Sequence, residues 1–515
     1  MTTRMPFSTK IIPRPLQSIT IPQQLLFFIA LLALSIGLRI LWPELRPLHH
    51  DEGVNFYFFE QVGHSGLYQY SHENYHGPLY FYLAAFFQSL FGDSILTIRF
   101  ASILTGAMAC VLPIAIFYRR ISSFVLVVAS LTLTFSSSTV FFSRYAIHES
   151  LLLFSFLLMA SAAGIFFHEK KSIVTWGGIA TISASLCFAT KETTVILGTA
   201  NLLALLLLTT PRHFMHRLGQ LIHGGGWWIL LSVFILILLF TGGFQWSSGM
   251  REFFLAFSQW IMRGTADIGH FKPWYYYINL LWRTEPTLLI CVVFPVIART
   301  ILAKQIFGAR LWYITYFSLL GTLVLVVQSC IPYKMPWLGL QISGPLSLSL
   351  GIAIGTLVEY LIRNKALSFI RKVVLIILVS IPVPLQFLSM VRFNFLIPYG
   401  AQNPFSYVHT TSGMLDLTQR ITPYLRENPS TKVLVGVHSY WPLPYYLRKF
   451  ARQQVDYQHF KEGMSLLADY PLAIVDHERK HDLLENPCLQ LEYYRLSDAQ
   501  ECYLVINSCR LDKQK

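Results

Sequence analysis

The chain alternates long apolar runs with short polar breaks over most of its length, and then the alternation stops. Runs near 21–42, 95–118, 121–142, 149–167, 173–190, 193–210, 227–243, 284–299, 311–330, 337–360 and 373–390 are rich in Leu, Ile, Val, Phe and Ala and nearly free of charge. Each approaches or exceeds the roughly 18 residues that carry a helix across a bilayer, so the pattern predicts about 11 transmembrane helices. After about residue 395 no spanning run recurs. There the pattern predicts helices over 415–424 and 444–450 and strands over 433–437, 454–459, 471–476 and 502–506. Such alternation points to a small α/β domain. The expected fold class is therefore an α-helical polytopic membrane protein, with a transmembrane domain over 1–394 and a soluble domain over 395–515.

Composition strengthens this picture. The 515 residues are 54% hydrophobic and only 13% charged, with a mean hydropathy of +0.50. An ordinary soluble domain carries about 25% charged residues, so lipid is the expected solvent. The formal net charge of +14 does not imply nucleic acid, for which the chain carries no motif. The basic residues fall in alternate breaks: Arg119-Arg120, Lys170-Lys171, Arg212 with Arg217, Arg299 to Arg310, and Arg363 to Lys372, together with Arg4, Lys10 and Arg14 near the N-terminus. The positive-inside rule assigns that side to the cytoplasm and the 395–515 domain to the outside. The first apolar run, too long for a signal-peptide core, reads as a retained helix. The expected location is the plasma (inner) membrane. Cys110, Cys187, Cys291 and Cys330 lie in apolar segments as packing residues. Among Cys488, Cys502 and Cys509 in the tail, one pair could form a disulfide.

The other set of breaks is aromatic, acidic and His-rich: 45–77, 143–149, 191–192, 241–283 and 331–337. The Trp/Tyr-rich stretch 241–283 fits an interfacial aromatic belt, or a carbohydrate or lipid-tail contact. The segment 43–78 carries most of the candidate chemistry. It places His49-His50-Asp51-Glu52 just after the first helix and His72-Glu73-Asn74-Tyr75-His76 before the next apolar segment. Ionisable groups this close to lipid are costly and usually functional. Carboxylates beside imidazoles can hold a divalent ion, or supply a general base and a phosphate contact.

These residues, in this order, resemble the GT-C glycosyltransferases, including protein O-mannosyltransferases and lipid A aminoarabinose transferases (family 39). The resemblance rests on Asp51-Glu52 after the first helix, His76-Gly-Pro-Leu-Tyr80, Phe142-Ser-Arg144-Tyr145 through His148-Glu149, and Ala189-Thr-Lys191-Glu192. Ile331-Pro-Tyr-Lys334-Met-Pro336-Trp337, Asn403-Pro404 and Trp441-Pro-Leu-Pro-Tyr-Tyr-Leu-Arg448 are similar to a narrower subgroup, the flippase-activity-associated proteins of archaeal glycosylation. Two positions depart from the family pattern. Tyr75 stands where an acid is expected, with Glu73 the nearest acid, and His148-Glu149 replaces the usual Asp before the fourth helix.

The resemblance implies a GT-C fold and an inverting transfer of sugar from a polyprenyl-phosphate donor, held in membrane lipid, to an extracytoplasmic glycan, lipid or protein acceptor. It implies Asp51 as general base or metal ligand. Glu52 would orient it or share a divalent metal ion, the one cofactor these residues would support. His76, Arg144, Lys191 and Lys334 would bind the donor phosphate, whose charge builds as the sugar leaves. Glu73, His148, Glu149 and Glu192 complete the candidate set. Structural roles compete with each of these: Arg144 and Lys334 as interface residues, Lys191-Glu192 as solvated charges, Asp51 as a helix cap, His49 and His50 as loop residues. A non-catalytic lipid-carrier translocation or accessory protein is the alternative reading. An ion-coupled transporter is disfavoured, because the charges sit mostly at helix ends.

Overall fold

The computed structural model describes residues 21–515 except Tyr75, 170–172, 267–269, 451–452, 459–469, 484–485 and 512–515. The expectations placed on Arg4, Lys10, Arg14, Lys170, Lys171 and Tyr75 lie outside the described residues.

Every apolar run named above is helical. The bundle is formed by α1 (Ile21–Ile40), α2 (His50–Ser65), α3 (Leu79–Phe91), α4 (Ile95–Phe117), α5 (Ser123–Thr134), α6 (Ser137–Ser143), α7 (Glu149–His168), α8 (Ile173–Phe188), α9 (Thr194–Leu208) and α10 (Pro211–Phe240). It continues through α11 (Gly249–Ala266), α12 (Tyr276–Thr284), α13 (Leu289–Ile297), α14 (Ile301–Phe307), α15 (Leu311–Cys330), α16 (Leu340–Arg363), α17 (Phe369–Ser380) and α18 (Pro382–Val391). Among the described residues seven helical stretches are long and apolar enough to cross a membrane, or up to nine if each of two bent pairs is one span. The runs at 173–190 and 193–210 form the shorter apolar helices α8 and α9. This is a multi-pass membrane protein.

Burial follows from what each helix faces. α7 and α16 are buried over most of their length, as helices surrounded by other helices are, and carry small polar side chains such as Ser155 and Ser347 among their apolar ones. α1, α10 and α17 expose Leu, Ile and Phe to the surroundings that lipid would fill. α16 approaches α5 closely because Gly351 and Gly355, four residues apart, present no side chain. A Cβ there would stand 2.4 Å from the Ala129 Cα and 2.8 Å from the Val125 Cα, the small-residue device of membrane helix pairs.

Two spans are bent, α5 with α6 by 59° and α12 with 286–297 by 119°. One buried carboxylate joins the two breaks: Glu285 accepts from Ser136 Oγ at 2.5 Å and Ser138 Oγ at 2.9 Å. Ser136 caps α6, so Glu285 also sits where that helix offers its unpaired N–H groups.

Two segments read as loops hold helices. Most of the first half of 43–78 is α2, and 241–283 contains α11 and most of α12. Neither α2 nor α11 is apolar enough to be found by counting hydrophobic length.

The tail forms α19 (Ser412–Glu427), β1 (Val433–Gly436), α20 (Leu443–Leu447), β2 (Val455–Tyr457), β3 (Leu472–Asp476), β4 (Leu489–Ser497) and β5 (Gln500–Asn507). The sheet order is β2-β1-β3-β5-β4. β1 pairs parallel with β2 and β3, whereas β5 pairs antiparallel with β3 and β4. β4, partly exposed and rich in Tyr, Glu and Arg, lies outside the strands expected from sequence. Cys488 and Cys509 form a disulfide and Cys502 is buried and free. Cys330, expected to be packed, is exposed.

The sheet domain sits on one end of the bundle. Leu48 N–H donates to the Tyr446 hydroxyl at 2.8 Å, and Arg448 pairs with Asp93.

Candidate active site

The site is built from the N-terminus of α2 upward. His49 is its N-cap: the ring Nδ1 accepts the Asp51 N–H, and the Glu52 carboxylate accepts the His49 N–H at 2.9 Å. This is a capping box with histidine in place of Ser or Thr. Because Nδ1 accepts, Nε2 carries the proton and donates to the Tyr407 carbonyl at 2.8 Å. His49, expected to be a plain loop residue, thus ties α2 to the segment before α19.

Glu52 does not face solvent or substrate. Its carboxylate is fully buried, receives Arg99 Nε at 2.7 Å and Nη2 at 2.8 Å, and accepts the Ala146 N–H at 2.8 Å. Burial alone would push its carboxyl up, but Arg99 and the backbone donors outweigh this and hold it below the usual range. The expected role beside Asp51, orienting it or sharing a metal, is corrected: Glu52 is an architectural carboxylate. Asp51, one residue earlier, points the other way. Its side chain is 43% exposed and lies in the wall of a cavity of about 750 Å³, within the size range of small-ligand sites.

The second wall comes from two strips laid side by side. Gly77 N–H donates to the Thr190 carbonyl at 3.1 Å, and Leu79 N–H to that of Ala189 at 3.0 Å. A Cβ on Gly77 would lie 2.2 Å from the Ala189 carbonyl oxygen, so this approach needs glycine. The strips bring together residues far apart in sequence. Lys191 Nζ lies 2.5 Å from Glu149 Oε1, and His76 Nδ1 lies 3.4 Å from Glu192 Oε2. The His76 and His148 rings stand 4.9 Å apart. Burial, then the nearby His76 and Lys191, push the His148 imidazole well below its ordinary value. His148 is therefore neutral, and its Nε2 has no hydrogen-bond partner among the described residues.

Of the ten expected site residues, seven line this cavity: Asp51, Glu73, His76, His148, Glu149, Lys191 and Glu192. Besides Glu52, two others do not. Arg144 donates to the carbonyls of Leu41 and Trp42, each at 2.8 Å, and of Asn394 at 3.3 Å. Burial, then Arg46, lower it to about 8. Its donors close the end of α1 against the chain after α18, so the expected phosphate contact is corrected to a structural clamp. Lys334 is also buried, and its ammonium donates to the carbonyls of Ile331 and, at 3.2 Å, Lys272. Burial lowers its ordinary value. It shapes the loop whose neighbours Ile331, Tyr333 and Met335 line the cavity, and is corrected in the same sense.

The sequence reading missed part of the lining. His50, Asn55, Trp260, His270, Trp337 and Tyr407 all reach the cavity. His270 Nδ1 lies 2.5 Å from the Tyr407 hydroxyl, joining the α11–α12 connection to the tail. The aromatic content of 241–283 was the one available signal for Trp260 and His270.

No group of three or more His, Cys, Asp or Glu side chains among the described residues is disposed to hold a metal ion. With both Glu52 oxygens committed, the Asp51/Glu52 pair does not fit a divalent cation.

Residues 75–240 match the family model described as dolichyl-phosphate-mannose-protein mannosyltransferase. No curated protein matches the chain. Among solved structures it is similar to ArnT from Cupriavidus metallidurans bound to undecaprenyl phosphate, at 14% identity and a TM-score of 0.63, covering 93% of this chain and 97% of that one. It is also similar to the archaeal oligosaccharyltransferase AglB from Archaeoglobus fulgidus in complex with an inhibitory peptide and a dolichol-phosphate. There the identity is 13% and the TM-score 0.51, covering 89% of this chain and 70% of that one. The matched segment contains the strip at Gly77 and the Lys191–Glu149 pair, and the likeness in fold covers 93% of the chain. The family segment and the fold agree, and the chain has the GT-C fold of the membrane glycosyltransferases.

Proposed function

We propose that the protein is an inverting glycosyltransferase that moves a sugar from a polyprenyl-phosphate donor to an acceptor hydroxyl at the outer face of the membrane. The observation that carries this reading is the division of labour between two adjacent acids. Glu52 is buried and neutralised by Arg99, which leaves Asp51 as a solvent-facing carboxylate in the cavity that also contains Lys191 and His76. The undecaprenyl phosphate of the ArnT structure and the dolichol-phosphate of the AglB structure support a lipid phosphate as the donor class.

In the proposed step the acceptor oxygen attacks the anomeric carbon while Asp51 takes its proton. The bond from the anomeric carbon to the phosphate oxygen breaks, and the electron pair stays on the phosphate. Lys191 and His76 stabilise that charge, more strongly in a partly dry cavity than in water. Attack opposite the leaving phosphate inverts the anomeric centre. The proposed step uses no divalent ion, because the only carboxylate adjacent to Asp51 in sequence is taken by Arg99. The basic breaks support a cytoplasmic N-terminus and an outer sheet domain, a side on which a disulfide such as Cys488–Cys509 persists.

The test is transfer by the purified protein from a panel of polyprenyl-phosphate sugars, with wild type and Asp51→Asn compared. Consumption of one donor by wild type and a loss of about 10²-fold or more in the variant, as for removal of a general base, supports the reading. Equal turnover by both proteins removes Asp51 from the mechanism. No turnover of any donor favours a lipid-carrier accessory role.

A further inference from the structure

The sheet domain turns toward the cavity the edge at which its parallel strands end. β2 and β3 lie on opposite sides of β1, so the chain reverses its direction of progress across the sheet at β1. In open α/β sheets the crevice outside the carboxyl ends of the strands at such a reversal is where ligands bind. Here that edge carries His438 to Trp441 after β1, Tyr457 at the end of β2 and Asp476 at the end of β3. Ser439 is itself part of the cavity wall.

A line of aromatic rings leads outward from that point. Tyr57 of α2, 47% exposed, faces Trp441 with 6.4 Å between ring centres. Trp441 faces Tyr440 at 5.6 Å, and Tyr440 faces Tyr457 at 5.0 Å. Trp441, Tyr440 and Tyr457 are all partly exposed. Tyr57 follows Asp51 by six residues on the same helix, roughly 9 Å along its axis. A Cβ on Gly53, two residues after Asp51, would stand 3.0 Å from Trp441 Cε3, so the line starts against the first turn of α2. Beside it, Asp476 Oδ1 accepts the His438 N–H at 3.3 Å and the Gln500 amide at 2.7 Å. Its Oδ2 has no partner among the described residues.

Partly exposed aromatic rings next to a carboxylate suit a pyranose ring. The C–H face of the sugar packs on the ring, and its hydroxyls reach the acid. An extended peptide would instead pair along a free strand edge, whereas these rings run across strand ends. If Asp51 activates an acceptor hydroxyl as proposed above, this edge, which reaches the cavity at Ser439, offers that hydroxyl a way in. We propose that the carboxyl edge of the sheet, together with Tyr57, is the acceptor subsite. The acceptor is a carbohydrate chain that lies along Tyr57, Trp441, Tyr440 and Tyr457 and presents one hydroxyl to Asp51.

The experiment is ligand-observed NMR on the full-length protein in lipid nanodiscs. The probes are cellohexaose, chitohexaose, maltohexaose and mannohexaose, with a Ser/Thr-rich dodecapeptide as comparison. Undecaprenyl phosphate is titrated in parallel. The variants are Tyr57→Ala, Trp441→Leu and Asp476→Asn, with Trp282→Leu, an exposed tryptophan on α12, as control. At least one hexasaccharide is expected to bind, about 10-fold more weakly in the two aromatic variants and a few-fold more weakly in Asp476→Asn. It is expected to bind unchanged in Trp282→Leu. Undecaprenyl phosphate affinity should be the same in all five proteins, which also shows that each is folded. Absence of any hexasaccharide signal, a signal indifferent to the three variants, or a peptide signal that they weaken would each overturn the carbohydrate subsite. Failure of wild type to bind undecaprenyl phosphate would count against the donor reading, while the hexasaccharide result would still decide the subsite.

Discussion

Arg99 grips both carboxylate oxygens of Glu52, Nε on Oε1 at 2.7 Å and Nη2 on Oε2 at 2.8 Å, with both side chains out of solvent. The acid beside it in the chain, Asp51, has no guanidinium partner among the described residues, only the His49 ring at 3.8 Å, and lines the cavity. The two should therefore fail in different ways. Glu52→Ala leaves a buried guanidinium unpaired, which costs about 3–5 kcal/mol, and should lower the melting temperature or prevent purification. Asp51→Asn should melt as wild type and lose transfer by about 10²-fold or more. Thermal melts of the two variants side by side decide this; a Glu52→Ala protein as stable as wild type would remove the structural assignment.

Because Glu52 is committed, chelation is expected to leave activity unchanged. Transfer assayed after extended dialysis against EDTA should match that of the untreated protein. A loss restored by one added divalent cation would require a ligand set other than the Asp51/Glu52 pair.

Lys191 and Glu149 form a nearly buried pair at 2.5 Å in the cavity wall. In the proposed step a lipid phosphate would compete with Glu149 for the ammonium. Lys191→Met should weaken undecaprenyl phosphate binding by about 10- to 100-fold, the value of a charge-assisted hydrogen bond. Glu149→Gln should keep or strengthen binding, since it removes one competitor for the ammonium. Titration of the lipid into both variants checks this; equal affinities would show that Lys191 serves only Glu149.

Gly77→Ala places a methyl group against the Ala189 carbonyl, backbone that cannot swing aside. The expected cost is about 1–3 kcal/mol, with His76 moved away from Glu192 and lipid-phosphate affinity reduced. If the variant matches wild type in both melting and lipid titration, the close packing of the two strips is not what holds the wall together.

Two buried imidazoles set a pH dependence. His409 is pushed down to about 2 by burial, then by His49, Arg46 and Arg99. His148 is pushed well below its ordinary value by burial, then His76 and Lys191. Both stay neutral in the folded protein, whereas in the unfolded chain histidine protonates near pH 6.5. Proton uptake by the unfolded state alone means that stability is fully present above about pH 6.5 and is lost as the pH falls below it. The melting temperature should decline from pH 7 to pH 5, and His409→Gln should flatten that decline. A variant with the wild-type slope would exclude His409 as a source.

How much was legible depended on the range of each signal. Helices in the apolar runs could be read because hydrophobic length is a local property. α2 and α11 could not, because their mixed sequences become helical faces only against the bundle. In the tail, β1, β3 and β5 were anticipated from short apolar stretches and β2 from its position among them, while β4 carries Glu492, Tyr493, Tyr494 and Arg495 in succession at a half-exposed edge and shows a weaker pattern. Seven of the ten candidate residues meet in one cavity because they cluster at helix ends. Glu52, Arg144 and Lys334 drew notice for the same reason, and nothing in their neighbourhood announced the partners that occupy them.

The sequence by itself determined that the chain lives in lipid, where its apolar helices run and that a small α/β unit follows them, and it offered Asp51 and Lys191 among its candidates, both of which line the cavity. Only the tertiary structure decided which charges are available. Glu52 meets Arg99 across 47 residues, and Arg144 meets the Asn394 carbonyl across 250. Such pairings are set by how helices pack rather than by spacing along the chain. In a medium that penalises every unpaired charge, packing assigns each ionisable group either to a partner or to the cavity.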